Sequence, residues 1–183
     1  MATRTFRINP EYDKILNEEA EKHGLSISAL LNQIIRQYVV ITRFAEKNPS
    51  ITLSTNTFAP VLDSTLDEKL AKAAEKTGSI IPEEALLLQG KRLDLDTVLW
   101  LLDINLGRYG NWFEYNHSVM NDKERIHLSH QLNHKWSIFL EKYLSSMFQS
   151  ILDMKPEIER RENSVTLYIP RRTNINQLLN KRK

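Results

Sequence analysis

Two groups of side chains in this 183-residue chain have the types and spacing to do chemistry. Near the start, Thr3, Thr5 and Arg7 alternate with Arg4, Phe6 and Ile8. In a strand such alternation puts the apolar pair on one face and the hydroxyls with the Arg7 guanidinium on the other. That outward set suits base edges in a DNA major groove, where an arginine fork bonds guanine O6 and N7 together. A little further on, Ser26, Ile27 and Ser28 open a second helical pattern, and a helix N-terminus offers N–H donors and a positive dipole end to a phosphate. The other group is His127, His130 and His134. On a helix they lie within about 60° of one another, but the outer two are roughly 10 Å apart along the axis, too far to share one metal ion at about 2 Å. His130 and His134 are the candidate metal pair, and a solvated or interface row of histidines is the preferred reading. No metal and no cofactor is assigned.

These side chains need elements to hold them. A strand of six residues is not stable alone, so the segment Thr3–Ile8 is expected to pair with the same strand of a second chain. Asn9-Pro10 is a helix start, with Asn as cap and Pro at the first helical position. Tyr12, Ile15, Leu16 and Ala20 form an apolar stripe on a helix running from about Pro10 to His23, which Gly24 ends. Ser26 then caps a second helix whose stripe comprises Ile27, Leu30, Leu31, Ile34, Ile35, Tyr38 and Val39. That stripe is wider than one partner helix requires, so a second protomer is expected against it.

The order of these features resembles the ribbon-helix-helix superfamily of the Arc, MetJ and CopG types. The residues that carry it are the alternating strand, Pro10, the apolar first helix, Gly24-Leu-Ser26-Ile-Ser28 and the Leu/Ile-rich second helix, covering about residues 3–40. The resemblance implies an intertwined homodimer whose antiparallel ribbon enters the major groove. It also implies base contacts from Thr3, Thr5 and Arg7, and backbone contacts from Ser26, Ile27 and Ser28. Two of the three outward residues are threonines, which makes direct base readout thin.

The remainder reads as a separate domain, giving an organisation of 1–43 for the N-terminal module, 44–50 as linker, 51–169 as an α+β domain and 170–183 as a basic tail. Ile51-Thr-Leu-Ser-Thr alternates like a strand. Helices are expected over Asp63–Lys76, Pro82–Leu88 and Asp94–Arg108, with the longest over Asp122–Asp153, and Ser164–Ile169 is expected as a final strand. The fold class is therefore α+β, mostly helical, with strand, helices and strand in that order, and the two strands pairing with each other or across the dimer. The aromatic group Trp100, Tyr109, Trp112, Phe113, Tyr115 and Trp136 reads as core, with a pocket for an apolar effector as the alternative. The tail contains Arg171, Arg172, Lys181, Arg182 and Lys183 and no acid, a solvated end by default and a non-specific phosphate contact otherwise.

Composition narrows the class. Hydrophobic residues at 41% and charged residues at 26% are those of a globular protein. With no cysteine, disulfides, thiolate metal sites and a cysteine nucleophile are excluded. No signal-peptide core follows Met1, and no apolar run approaches the roughly 20 residues that span a bilayer, so a cytoplasmic location without membrane contact is expected. No phosphate-binding loop, dinucleotide fingerprint, zinc-protease motif or nucleophile elbow occurs, and an enzyme is not expected. The expectation is a sequence-specific double-stranded DNA-binding transcription regulator, a repressor acting as a homodimer or tetramer. Its rivals are an antitoxin that binds a toxin through its C-terminal region, a dimerisation or assembly protein that binds no DNA, and a chromosome-architecture protein with weak sequence preference.

Overall fold

The computed structural model describes residues 4–44, 51–120 and 123–170. The chain divides into two compact units, Met1–Glu46 and Lys47–Lys183. In the first, α1 (Pro10–Lys22) begins where its cap dictates: the Asn9 side chain accepts from the Glu11 N–H at 2.9 Å, and Glu11 and Asp13 occupy the first turn. Gly24, at φ +63°, reverses the chain, a backbone conformation that a Cβ would strain. Ser26 then caps α2 (Ile27–Val40), accepting from the Ala29 N–H at 3.2 Å. A short 3₁₀ turn, Thr42–Phe44, follows. Residues 4–9 adopt no regular structure, so the strand expected over Thr3–Ile8 is not formed in the single chain.

The second unit is α+β. Helices α3 (Thr55–Asp63), α4 (Asp67–Gly78), α5 (Ile81–Leu88) and α6 (Leu95–Trp100) come first, and α6 runs on as a π-helical segment, Leu101–Tyr109. Strands β1 (Glu114–Met120) and β2 (Lys123–Ser129) form a hairpin, α7 (His134–Leu152) follows, and β3 (Glu157–Arg160) with β4 (Ser164–Pro170) makes a second hairpin. The sheet is antiparallel in the order β1-β2-β4-β3. Its inner face carries Ile126, Leu128, Val165, Leu167 and Ile169, all fully buried against Leu140, Leu144, Met147 and Phe148 of α7. Along α7 lies α4, approaching so closely that a Cβ on Gly78 would sit 2.3 Å from the Tyr143 carbonyl oxygen.

The structure corrects the expected strand-helices-strand order at three places. Residues 51–54 form no strand; Ser54 instead caps α3 through the Thr57 N–H. The expected helix over Asp122–Asp153 begins only at His134, because Lys123–Ser129 pairs as a strand with both β1 and β4. Leu128 fits the helical stripe through Leu132 and Trp136, whereas Ile126 and Leu128 together fit a period of two, and the sheet bonds on both sides decide for the strand. The final strand does form at Ser164–Pro170, but its neighbours are β2 and β3 rather than a strand near residue 51.

Candidate functional site

In the N-terminal unit, Thr5 and Arg7 are exposed immediately before α1, and Thr3 lies outside the described residues. Ser26 and Ser28 are exposed at the start of α2, with Ile27 half-buried between them. Because the Ser26 hydroxyl takes the Ala29 N–H, the donors left at the helix end are those of Ile27 and Ser28, which point along the axis away from the helix. Arg171, Arg172, Lys181, Arg182 and Lys183 also lie outside the described residues.

What α2 does with its apolar side chains is unusual. Not one of its fourteen residues is buried. Ile34, Ile35, Tyr38 and Val39 are 45%, 53%, 58% and 44% exposed. Tyr12 and Ile15 of α1 and Phe6 before it are likewise exposed. An open trough of about 490 Å³ runs between the helices, lined by Leu16, Glu19, His23, Leu25, Leu30, Gln33 and Ile34. Ala20 is the one buried residue of α1. Two helices in this state have an apolar face with no described residue of their own unit covering it.

The three histidines do not form a helical row. His127 is on the outer face of β2, its Nδ1 2.9 Å from the Thr166 hydroxyl. Desolvation, then Arg125 and Arg161, hold its pKa below the ordinary histidine value. His130 is buried beyond the end of β2, with Nδ1 3.1 Å from the Leu132 carbonyl and Nε2 2.8 Å from the Ser137 hydroxyl. The Ser137 hydroxyl also donates to the Glu162 carbonyl at 3.1 Å, so the ring ties the β2–α7 corner to the β3–β4 turn. Burial lowers the His130 pKa. His134 begins α7, exposed, 3.9 Å from a Glu162 carboxylate oxygen. The expected alignment fails because residues 127 and 134 belong to different elements. Both ring nitrogens of His130 lie against groups of the chain, the Leu132 carbonyl and the Ser137 hydroxyl, and no group of three or more His, Asp or Glu among the described residues is placed to hold a metal ion.

The aromatic group is mostly packed. Trp112, Trp136, Phe139 and Tyr143 contact one another ring to ring, Phe58 meets Trp136 edge-on at 5.5 Å, and the Trp136 indole donates to the Trp112 carbonyl. Trp100 stands apart under the Lys91 ammonium, 4.3 Å from its ring centre. The outer face of the sheet is polar and internally bonded: Glu159 accepts from Arg161 and from the Tyr168 hydroxyl, and Lys123 reaches Glu157 at 2.6 Å. Sequence reasoning missed both this face and the His130–Ser137 pair. The signal was the alternation in Lys123-Glu-Arg-Ile-His-Leu-Ser129, which separates Arg125 and His127 from Ile126 and Leu128.

Among the described residues no helix is long and apolar enough to cross a membrane. Compared with family models, with curated proteins and with solved structures, the chain has no match.

Proposed function

We propose that the protein is a homodimeric, sequence-specific DNA-binding regulator of the ribbon-helix-helix type, acting as a repressor. The observation that carries the reading is α2, a helix of fourteen residues that buries none of them in its own chain. Covering the exposed parts of Phe6, Tyr12, Ile15, Ile34, Ile35 and Tyr38 against a second copy is worth on the order of 1 kcal/mol each. The total is comparable with the whole stability of a small domain, so the unit folds as a pair. The second chain also supplies the missing partner for residues 3–8, and two such strands make a ribbon that fits the major groove. Thr3, Thr5 and Arg7 then face bases, while Ser26, Ile27 and Ser28 hold phosphates on either side. Two-fold symmetry in the protein requires a palindromic site.

The exposed apolar face equally suits an assembly protein that uses the ribbon only to dimerise, and DNA binding separates the two. Fluorescence anisotropy on a pool of genomic duplex fragments, across salt concentrations, compares wild type with Arg7→Ala. Wild type binds a subset of fragments tightly, and Arg7→Ala loses that preference by about tenfold or more, since a bidentate contact is worth about 1–3 kcal/mol, while keeping weak salt-sensitive binding. Absence of wild-type binding at low salt refutes the regulator and leaves the assembly protein.

A further inference from the structure

The two edges of the sheet are not alike. β3 has four residues, three of them charged (Glu157, Glu159 and Arg160), and Lys155-Pro156 precedes it. Short, charged, proline-flanked edges discourage pairing. β1 has seven residues, no lysine and no proline, and Glu114 is its one acidic or basic residue besides His117. Val119 and Met120 on it are 53% and 55% exposed.

The direction of its backbone groups follows from the hairpin. Met120 pairs with Lys123, so two residues separate the last partners, and in such a hairpin the last pair exchanges both hydrogen bonds. Alternation then bonds Met120, Ser118, Asn116 and Glu114 to β2, and turns the N–H and C=O groups of Tyr115, His117 and Val119 to the side where no strand among the described residues pairs with β1.

We propose that a second copy of the chain pairs with this edge, β1 against β1, antiparallel about a two-fold axis at His117, continuing the sheet to eight strands. His117 is the middle residue of β1, so this register alone pairs all seven residues. Tyr115 meets the second copy's Val119 on the helix-covered side, an aromatic against a β-branched residue. Asn116 meets Ser118, polar against polar, on the open side. Glu114 meets Met120, and Lys123 stands next along the same cross-strand row, so the acidic end of one hairpin meets the basic end of the other. The two His117 rings approach at the axis, where each already has its own Glu124 carboxylate 3.0 Å from Nε2. The pairing is independent of the reading of the N-terminal unit. If both interfaces form about one two-fold axis the assembly is a dimer, and about two different axes it contains four chains or more.

The absence of native cysteine makes cross-linking decisive. Asn116→Cys and Ser118→Cys full-length variants are co-expressed, purified, oxidised mildly, and their products read by non-reducing electrophoresis and peptide mass spectrometry. The register brings residue 116 opposite 118 at a Cα separation of about 4.5 Å, within disulfide reach. Like residues stand diagonally at about 7–8 Å, beyond it. A 116–118 disulfide between chains is expected at several times the yield of either variant alone, and adding Val119→Lys to both suppresses it while tryptophan fluorescence stays native. A mixed product no greater than that of the single variants, or one indifferent to Val119→Lys, overturns the proposal. Because the readout sits at residues 116 and 118, loss of DNA binding leaves it unchanged, and its failure leaves the DNA reading intact.

Discussion

Gly78 poses a conflict between local and tertiary physics whose sign can be worked from the structure. It is the last residue of α4 and is buried. Helix propensity alone makes Gly78→Ala stabilising, by at most about 1 kcal/mol and less at a helix end. Packing argues the opposite. The new Cβ would lie 2.3 Å from the Tyr143 carbonyl oxygen, 2.8 Å from its Cα and 2.9 Å from its carbonyl carbon. All three atoms are α7 backbone, so no side chain can swing aside. Relief requires α4 to move off α7 by about 1 Å to reach ordinary contact, loosening the layer that includes Leu70 and Ala74. Overpacking of this kind costs about 1–3 kcal/mol, which outweighs the propensity gain, and a net loss near 2 kcal/mol is expected. With a urea slope of about 2 kcal/mol/M the midpoint falls by about 1 M. The three tryptophans (Trp100, Trp112 and Trp136) all belong to the second unit, so their fluorescence reports its unfolding in the full chain. A midpoint unchanged or raised would refute the close α4–α7 approach and leave propensity in charge.

Other outcomes are as definite. For the proposed dimer, Ile35→Asp, at a residue 53% exposed in the single chain, shifts the equilibrium toward monomer by at least tenfold in sedimentation equilibrium, whereas a solvated face would leave the distribution unchanged. Burial lowers the His130 pKa, and desolvation with Arg125 and Arg161 lowers that of His127. The unfolded chain therefore binds protons first as pH falls below about 6.5, and stability present above that pH is lost on descending toward the folded values. His130→Gln flattens this slope in urea melts between pH 5 and 8 if the sign is right. Tyr115 is pushed up to about 12, by burial first and then by Asp103 and Glu124. The unfolded phenol ionises near 10, so stability falls as pH rises past that value, and Tyr115→Phe removes part of the loss in alkaline denaturation followed by tryptophan fluorescence.

Much of the N-terminal unit was legible because its signals are local. Asn9-Pro10, Gly24 and Ser26 set the ends of α1 and α2 within a few residues of themselves, through caps and a left-handed turn. The width of the α2 stripe likewise announced an apolar face larger than one helix can cover. In the second unit α4, α5 and the strand Ser164–Pro170 could be read from periodicity, the last from its apolar row Val165, Leu167 and Ile169. Lys123–Ser129 could not. Its Ile126 and Leu128 fit a strand, yet Leu128 with Leu132 also extends the apolar stripe of Trp136, Leu140 and Tyr143 backward. Only pairing with β1 and with β4, the latter about forty residues later in the chain, chose the strand. That choice took His127 out of line with His130 and His134 and dissolved the histidine row.

Sequence by itself thus determined where α1, α2 and α5 start and stop and which of their faces are apolar, since both depend on residues within a turn or two of one another. Tertiary structure decided which apolar segments become strands, which strands are neighbours, which edge stays open at β1 and which histidine is buried. Those outcomes depend on hydrogen-bond partners and packing surfaces supplied by distant parts of the chain, and no local pattern encodes them.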